Sequence, residues 1–167
     1  MKGVFYMKKR FLFAALLLVV MLVASCAYAL ADADVPPPSQ ISDNPDFSIC
    51  EWNRTIAPYT SDELKITRVV SSITKLSSSS IYIRGVTDAN KLCDVVGVFM
   101  YVEQWKNSKW NTYTTVSYSE FDAYTAEGIK VVNVDSGYYY RVVVEHRAIK
   151  QLDKVYDLSN TQGILVN

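Results

Sequence analysis

The chain has 167 residues, and its 17 Lys+Arg balance 17 Asp+Glu. That balance hides an asymmetry: residues 1–31 hold Lys2, Lys8, Lys9 and Arg10 and no acid, so residues 32–167 carry 13 basic against 17 acidic groups, a net charge of −4. A mildly acidic chain without a basic cluster excludes nucleic acid as the expected partner. The roughly 136 residues after the N-terminal segment suffice for one domain's core and no more.

Residues 1–31 have the layout of a Sec-type signal peptide. Lys8-Lys9-Arg10 precedes an unbroken apolar run over residues 11–24, and Ala29-Leu30-Ala31 supplies the small-x-small pattern of a cleavage site after Ala31. Left uncleaved, residues 11–31 are long enough to span a bilayer, so the membrane enters only through this segment. A second fate is open at Cys26, because Val23-Ala24-Ser25-Cys26 has the form of a lipobox whose Cys becomes the lipidated first residue of a lipoprotein. The expected location is secreted or cell-surface. Either route takes Cys26 out of the folded domain and leaves Cys50 and Cys93, which in an exported chain are most simply one disulfide. There is no CxxC, hence no support for thioredoxin-like chemistry or a paired-Cys zinc site.

Residues 32–61 divide into an acidic tether containing Pro36-Pro37-Pro38 and Asn44-Pro45, and an apolar strap carrying Phe47, Ile49, Cys50 and Trp52. Three consecutive prolines favour an extended, solvated spacer. A single domain is expected over residues 62–167, where Val, Ile, Thr and Tyr abound and helical apolar spacing is not sustained. Strands are predicted over residues 66–76, 80–87, 95–102, 110–118, 129–134 and 138–148, with a broken last strand over 154–158 and 163–166. About seven short strands between Ser, Asn, Asp and Gly turns predict an all-β, antiparallel β-sandwich of Ig-like or fibronectin type III-like shape.

Two connections are legible in detail. Lys106-Asn107-Ser108-Lys109 between Trp105 and Trp110 predicts a hairpin in which Trp105 faces Trp110, Glu103 faces Thr112 and Tyr101 faces Thr114 on one side of the sheet. The other side, with Val98, Met100 and Val102 opposite Tyr113 and Thr115, is then the core. Asp135-Ser136-Gly137 is a turn into a strand whose Tyr138, Tyr140, Val142 and Val144 share one face, and Tyr140 is placed for a tyrosine corner. The run from Val96 to Trp105, its polar turn and Trp110, together with Val134-Asp135-Ser136-Gly137-Tyr138-Tyr139-Tyr140-Arg141-Val142, resembles small exported proteins of Gram-positive bacteria, grouped in families of unknown function. That resemblance covers roughly residues 62–148. It implies an Ig-like sandwich at the cell envelope and carries over no catalytic residue.

Catalytic signatures are absent: the sequence has no GxSxG, HExxH, Walker A or GxGxxG pattern. His146 is the only histidine, which excludes multi-His metal sites, and it is expected at a strand end beyond Val144, satisfied by hydrogen bonds. No cofactor, metal or enzymatic activity is expected. The carboxylates Glu103, Glu120, Asp122, Glu127 and Glu145 keep a small hydrolase as a minor alternative. The candidate binding residues are Tyr101, Glu103, Trp105 and Trp110, an aromatic stripe beside a carboxylate that suits a sugar ring or a protein ligand. Opposed to this stands a plainer account, in which the stripe stabilises the hairpin or lies under residues 47–52. The functional expectation is a non-enzymatic binding or structural module whose partner is an unidentified protein or a cell-wall glycan, with a carbohydrate-binding module as the alternative.

Overall fold

The structure, a computed structural model, describes residues 35–53 and 63–167. The export segment with Cys26 and Ala31 lies outside the described residues, as do residues 32–34 of the tether and 54–61 of the strap. Seven strands follow in chain order: β1 (Phe47–Asn53), β2 (Ile66–Ser77), β3 (Ser80–Lys106), β4 (Lys109–Asn133), β5 (Tyr138–Lys150), β6 (Asp153–Asn160) and β7 (Ile164–Val166). All pair antiparallel in one sheet of order β1-β2-β3-β5-β6, with β4 also on β3 and β7 on β5. Among the described residues the chain is therefore all-β and antiparallel, as expected, and its seven strands form one sheet curled into a half-barrel.

The curl comes from two bent strands. Four of the predicted short strands are in fact two long ones, β3 of 27 residues and β4 of 25. The Asp/Asn-rich stretch after Thr87 and the Ser-Glu-Phe-Asp stretch ending at Asp122 suggest turns, but the chain does not reverse there. Pairing between β3 and β4 shifts between Asp88 and Cys93, and Asp122 takes a φ of 49°. Such irregularities bend a strand and increase its twist without ending it. Before the bend β3 pairs with β2, after it the same edge pairs with β5, and β4 follows the opposite edge throughout.

The bend makes two arms whose inner faces pack together. Ile73, Ile81 and Ile83 of the first arm meet Val98, Met100, Val102, Tyr140, Val142, Val144, Ile164 and Val166 of the second. A second cluster near the bend gathers Ile66, Val69, Cys93, Val96 and Ala148. Between the clusters lies a polar layer: Ser71 sits between Val69 and Ile73 on β2, Thr87 before Ala89 on β3, and His146 between Val144 and Ala148 on β5, all fully buried. The tight β3–β4 hairpin turns through Asn107 and Ser108, both at positive φ (56° and 58°), which matches the twist of the strands it joins.

Three expectations for the N-terminal part and the cysteines are corrected. Phe47–Asn53 is no strap but the edge strand β1, paired residue for residue with β2. Residues 36–42 are no free tether: Ile41 bridges to Gly163, with Ser42 N donating to Gly163 O and Gly163 N to Gln40 O. Cys50 and Cys93 are both free thiols. Cys50 lies opposite Ser71 of β2, whereas Cys93 sits past the bend of β3 opposite Ala123.

Candidate functional site

The hairpin holding the expected stripe forms in nearly the expected register. Trp105 pairs with Trp110 and Glu103 with Thr112, but Tyr113 is an extra, unpaired residue, so Tyr101 faces Thr115 rather than Thr114. The bulge moves Thr115 to the outer face and leaves Tyr113 against the core, edge-on to Tyr140 with ring centroids 5.6 Å apart. The face assignment on β3 is as expected: Val98, Met100 and Val102 are fully buried, while Tyr101 and Glu103 are half-buried on the other side.

The two tryptophans are largely spent on structure. Their rings meet edge to face at 5.3 Å, and only 8% of Trp105 is exposed. Trp110 donates from Nε1 to Gln40 Oε1 at 2.7 Å, and a Cβ on Gly163 would fall 2.8 Å from its ring. The cover foreseen over this stripe exists at Trp110 alone, where Gln40 and Gly163 supply it in place of residues 47–52. Arg141 lies 4.5 Å over the Trp110 ring and donates from Nε to Glu103 Oε2 at 2.6 Å. Of the four candidates, Glu103 is committed to an ion pair and the two tryptophans to each other, which leaves Tyr101 as the side chain open to a ligand.

What the sequence did not bring forward is the rest of that face. Cross-strand rows on the second arm place Phe121 beside Val95 and Ile149, Gly97 beside Arg147 and Tyr156, Phe99 beside Glu145 and Leu158, and Tyr101 beside Val143. Gly97 leaves a slot into which the Phe99 ring leans, and Arg147 stacks at 4.4 Å from Phe99 and 5.2 Å from Tyr156 while bonding Glu145 at 3.0 Å. Phe121 is 73% exposed and Leu158 65%. The β4 column of this face is hydroxylic: Thr115, Ser117 and Ser119. The outer side of the first arm is mixed: Arg68 bridges Glu51 and Asp88 and Arg84 bonds Glu127, beside exposed Ile49, Ile129 and Val131. Alternation alone could have found the aromatic face, had residues 95–103 been laid beside residues 143–149.

His146 is not at a strand end but in mid-β5, fully buried. Its Nδ1 lies 2.8 Å from Thr87 Oγ1 and its Nε2 2.7 Å from Ser159 Oγ. Thr87 gives its one proton to Gly97 O, so Nδ1 carries the ring hydrogen and Nε2 accepts from Ser159. Burial pushes the imidazole down to about 4, against a smaller opposing pull from Asp157. A serine hydroxyl on an imidazole is the start of a hydrolytic triad, but here the third member is a threonine and the group is sealed between the apolar clusters. Tyr140 makes the expected corner. Its hydroxyl donates to Asp135 O and accepts from Asp135 N and Gln104 Nε2, and burial pushes it up to about 12. No protein-family model and no curated protein matches the chain.

Proposed function

We propose that the protein is an exported, non-enzymatic binding module that works at the cell envelope or in the medium. Its binding surface is the outer face of the second arm. The observation that carries this reading is the contiguous apolar and aromatic surface of Phe99, Tyr101, Phe121, Tyr156 and Leu158, within which each arginine is already neutralised by a glutamate. Covering such a surface removes apolar area from water without stranding a charge. The export segment and the resemblance to small Gram-positive exported proteins support the location. The Tyr140 corner and the two packed arms support an Ig-like or fibronectin type III-like module whose two layers are arms of one sheet.

A carbohydrate-binding reading is favoured by one observation, the Ser/Thr column of β4 running beside Tyr101 and Phe99, since hydroxyl groups flanking flat rings suit a sugar. The test is co-sedimentation with purified cell-wall sacculi, comparing wild type with the Tyr156→Ala/Leu158→Ala double variant. Both side chains are exposed, so the fold is expected to survive their loss. Retention of wild type and loss by the variant supports the reading. Retention that survives protease treatment of the walls assigns a glycan ligand, and retention that does not assigns a protein. Equal behaviour of both proteins overturns the choice of face.

A further inference from the structure

We propose that the protein self-associates into a two-fold dimer by antiparallel pairing of the free β4 edges, with the axis at Ser117. Among the described residues β4 pairs only with β3, so its other edge presents backbone N–H and C=O groups along its length. Such an edge is a template for another strand, and natural sheets blunt it with prolines, lysines, bulges or cover. Here the protection stops at two points. The Tyr113 bulge interrupts the edge on one side, and the positive φ of Asp122 kinks it on the other. Past the kink, the Tyr118 hydroxyl donates to Ile129 O at 2.6 Å, occupying that carbonyl. Residues 114–121 between these points, Thr-Thr-Val-Ser-Tyr-Ser-Glu-Phe, contain no proline and no lysine, and are rich in residues that favour strands.

The occupant follows from the pattern of that segment. Antiparallel pairing with a second copy must join residues of one face, so the register sums to an even number. With Ser117 on the axis, Val116 meets Tyr118 twice and Thr115 meets Ser119 twice, matching apolar with apolar and hydroxyl with hydroxyl. Glu120, the one charged residue of the segment, falls opposite Thr114 and far from its own copy. Moving the axis to Tyr118 would set Val116 against Glu120. The contact closes after two copies, because each chain contributes the same segment to both sides. One ribbon of this length is a small interface, so a dissociation constant of about micromolar or weaker is expected.

The experiment is sedimentation velocity of the full-length protein as processed by the cell, across a concentration series, with Ser117→Lys and Ser117→Val. Ser117 is exposed, so neither substitution disturbs the core. Wild type and Ser117→Val are expected to dimerise reversibly. Ser117→Lys sets two like charges against each other at the axis and weakens the dimer by about tenfold or more. A wild-type protein that stays monomeric at high concentration overturns the proposal, and so does a dimer that Ser117→Lys leaves intact. The outer-face variant Tyr156→Ala/Leu158→Ala is expected to dimerise normally, which separates this edge from the proposed binding face.

Discussion

Gly128 has no room for a side chain, and its replacement gives the sharpest test of the packing. A Cβ at this position would lie 2.3 Å from Tyr118 Cδ2, 2.8 Å from Val98 Cγ2 and 3.0 Å from Met100 Cε. Val98 and Met100 are fully buried on β3 between β4 and β5 and have nowhere to retreat. Tyr118 is half-buried and could swing outward, but only by giving up its bond to Ile129 O and its packing on the core. Overpacking of this kind costs about 1–3 kcal/mol, and the lost hydrogen bond costs about 1 kcal/mol more. Against this, alanine restricts the unfolded chain and returns about 0.4–1 kcal/mol. Gly128→Ala is therefore expected to destabilise the fold by roughly 2–3 kcal/mol, measured by urea denaturation followed through tryptophan fluorescence. Tyr118→Ala removes the nearest clashing atom, so the double variant should recover more than about 1 kcal/mol relative to the sum of the singles. A neutral Gly128→Ala, or strict additivity with Tyr118→Ala, would refute the account of how the arms meet.

Three further outcomes follow from the buried polar groups and the thiols. His146 titrates near 4 in the fold because it is buried, against an ordinary value of 6.5, so the unfolded chain takes up a proton first as pH falls. The stability this contributes is fully present above about pH 6.5 and is lost towards pH 4; at about 1.4 kcal/mol per pH unit it amounts to about 3 kcal/mol. His146→Gln should lack this component, and identical pH slopes for the two proteins would count against it. Tyr140→Phe leaves the Gln104 amide and the Asp135 backbone groups without their shared partner. It should cost about 2–3 kcal/mol in chemical denaturation, and a loss below about 0.5 kcal/mol would show that the corner is dispensable. Native-state alkylation followed by mass spectrometry should label half-buried Cys50 before Cys93, whose thiol is buried and pushed up by desolvation. A mass increase on reduction alone would instead reveal a bond between them.

Much of this architecture was legible in the sequence because it rests on period-two alternation. Val98, Met100 and Val102 on one side and Tyr101 and Glu103 on the other follow directly from the pleat, as do Tyr140, Val142 and Val144 on β5. The Tyr140 corner was legible from the Asp135-Ser136-Gly137 turn before it. What the sequence concealed was continuity. Asp88, Asn90 and Asp122 are turn-forming residue types, and they serve equally well in bulges that bend a strand, so four apparent strands conceal two long ones. The burial of His146 was hidden for a related reason: β5 runs on to Lys150, so the alternation that buries Val144 also buries the imidazole. The tryptophans marked a surface by their chemistry, but Gln40 and Gly163, distant in sequence, close over Trp110, and no local pattern announces such contacts.

The bends that hid the topology also give the protein two unlike outer surfaces. A flat hairpin of this length would present one mixed face to solvent. By bending at Asp88–Cys93 and at Asp122, the β3–β4 hairpin turns its inner residues from both arms into a shared core and sends its outer residues in two directions. The first arm shows ion pairs to water, Arg84 with Glu127 and Arg68 with Glu51 and Asp88, beside exposed Ile49, Ile129 and Val131, and such pairs bring little gain in stability. The second arm shows rings and aliphatic side chains, with the Arg147 guanidinium over the rings of Phe99 and Tyr156. A guanidinium placed in this way covers apolar surface while its charge is answered by Glu145. The two arms thus share one core and differ in what their outer faces carry. A substitution at Arg147 should therefore change what the second arm can bind well before it changes whether the chain folds.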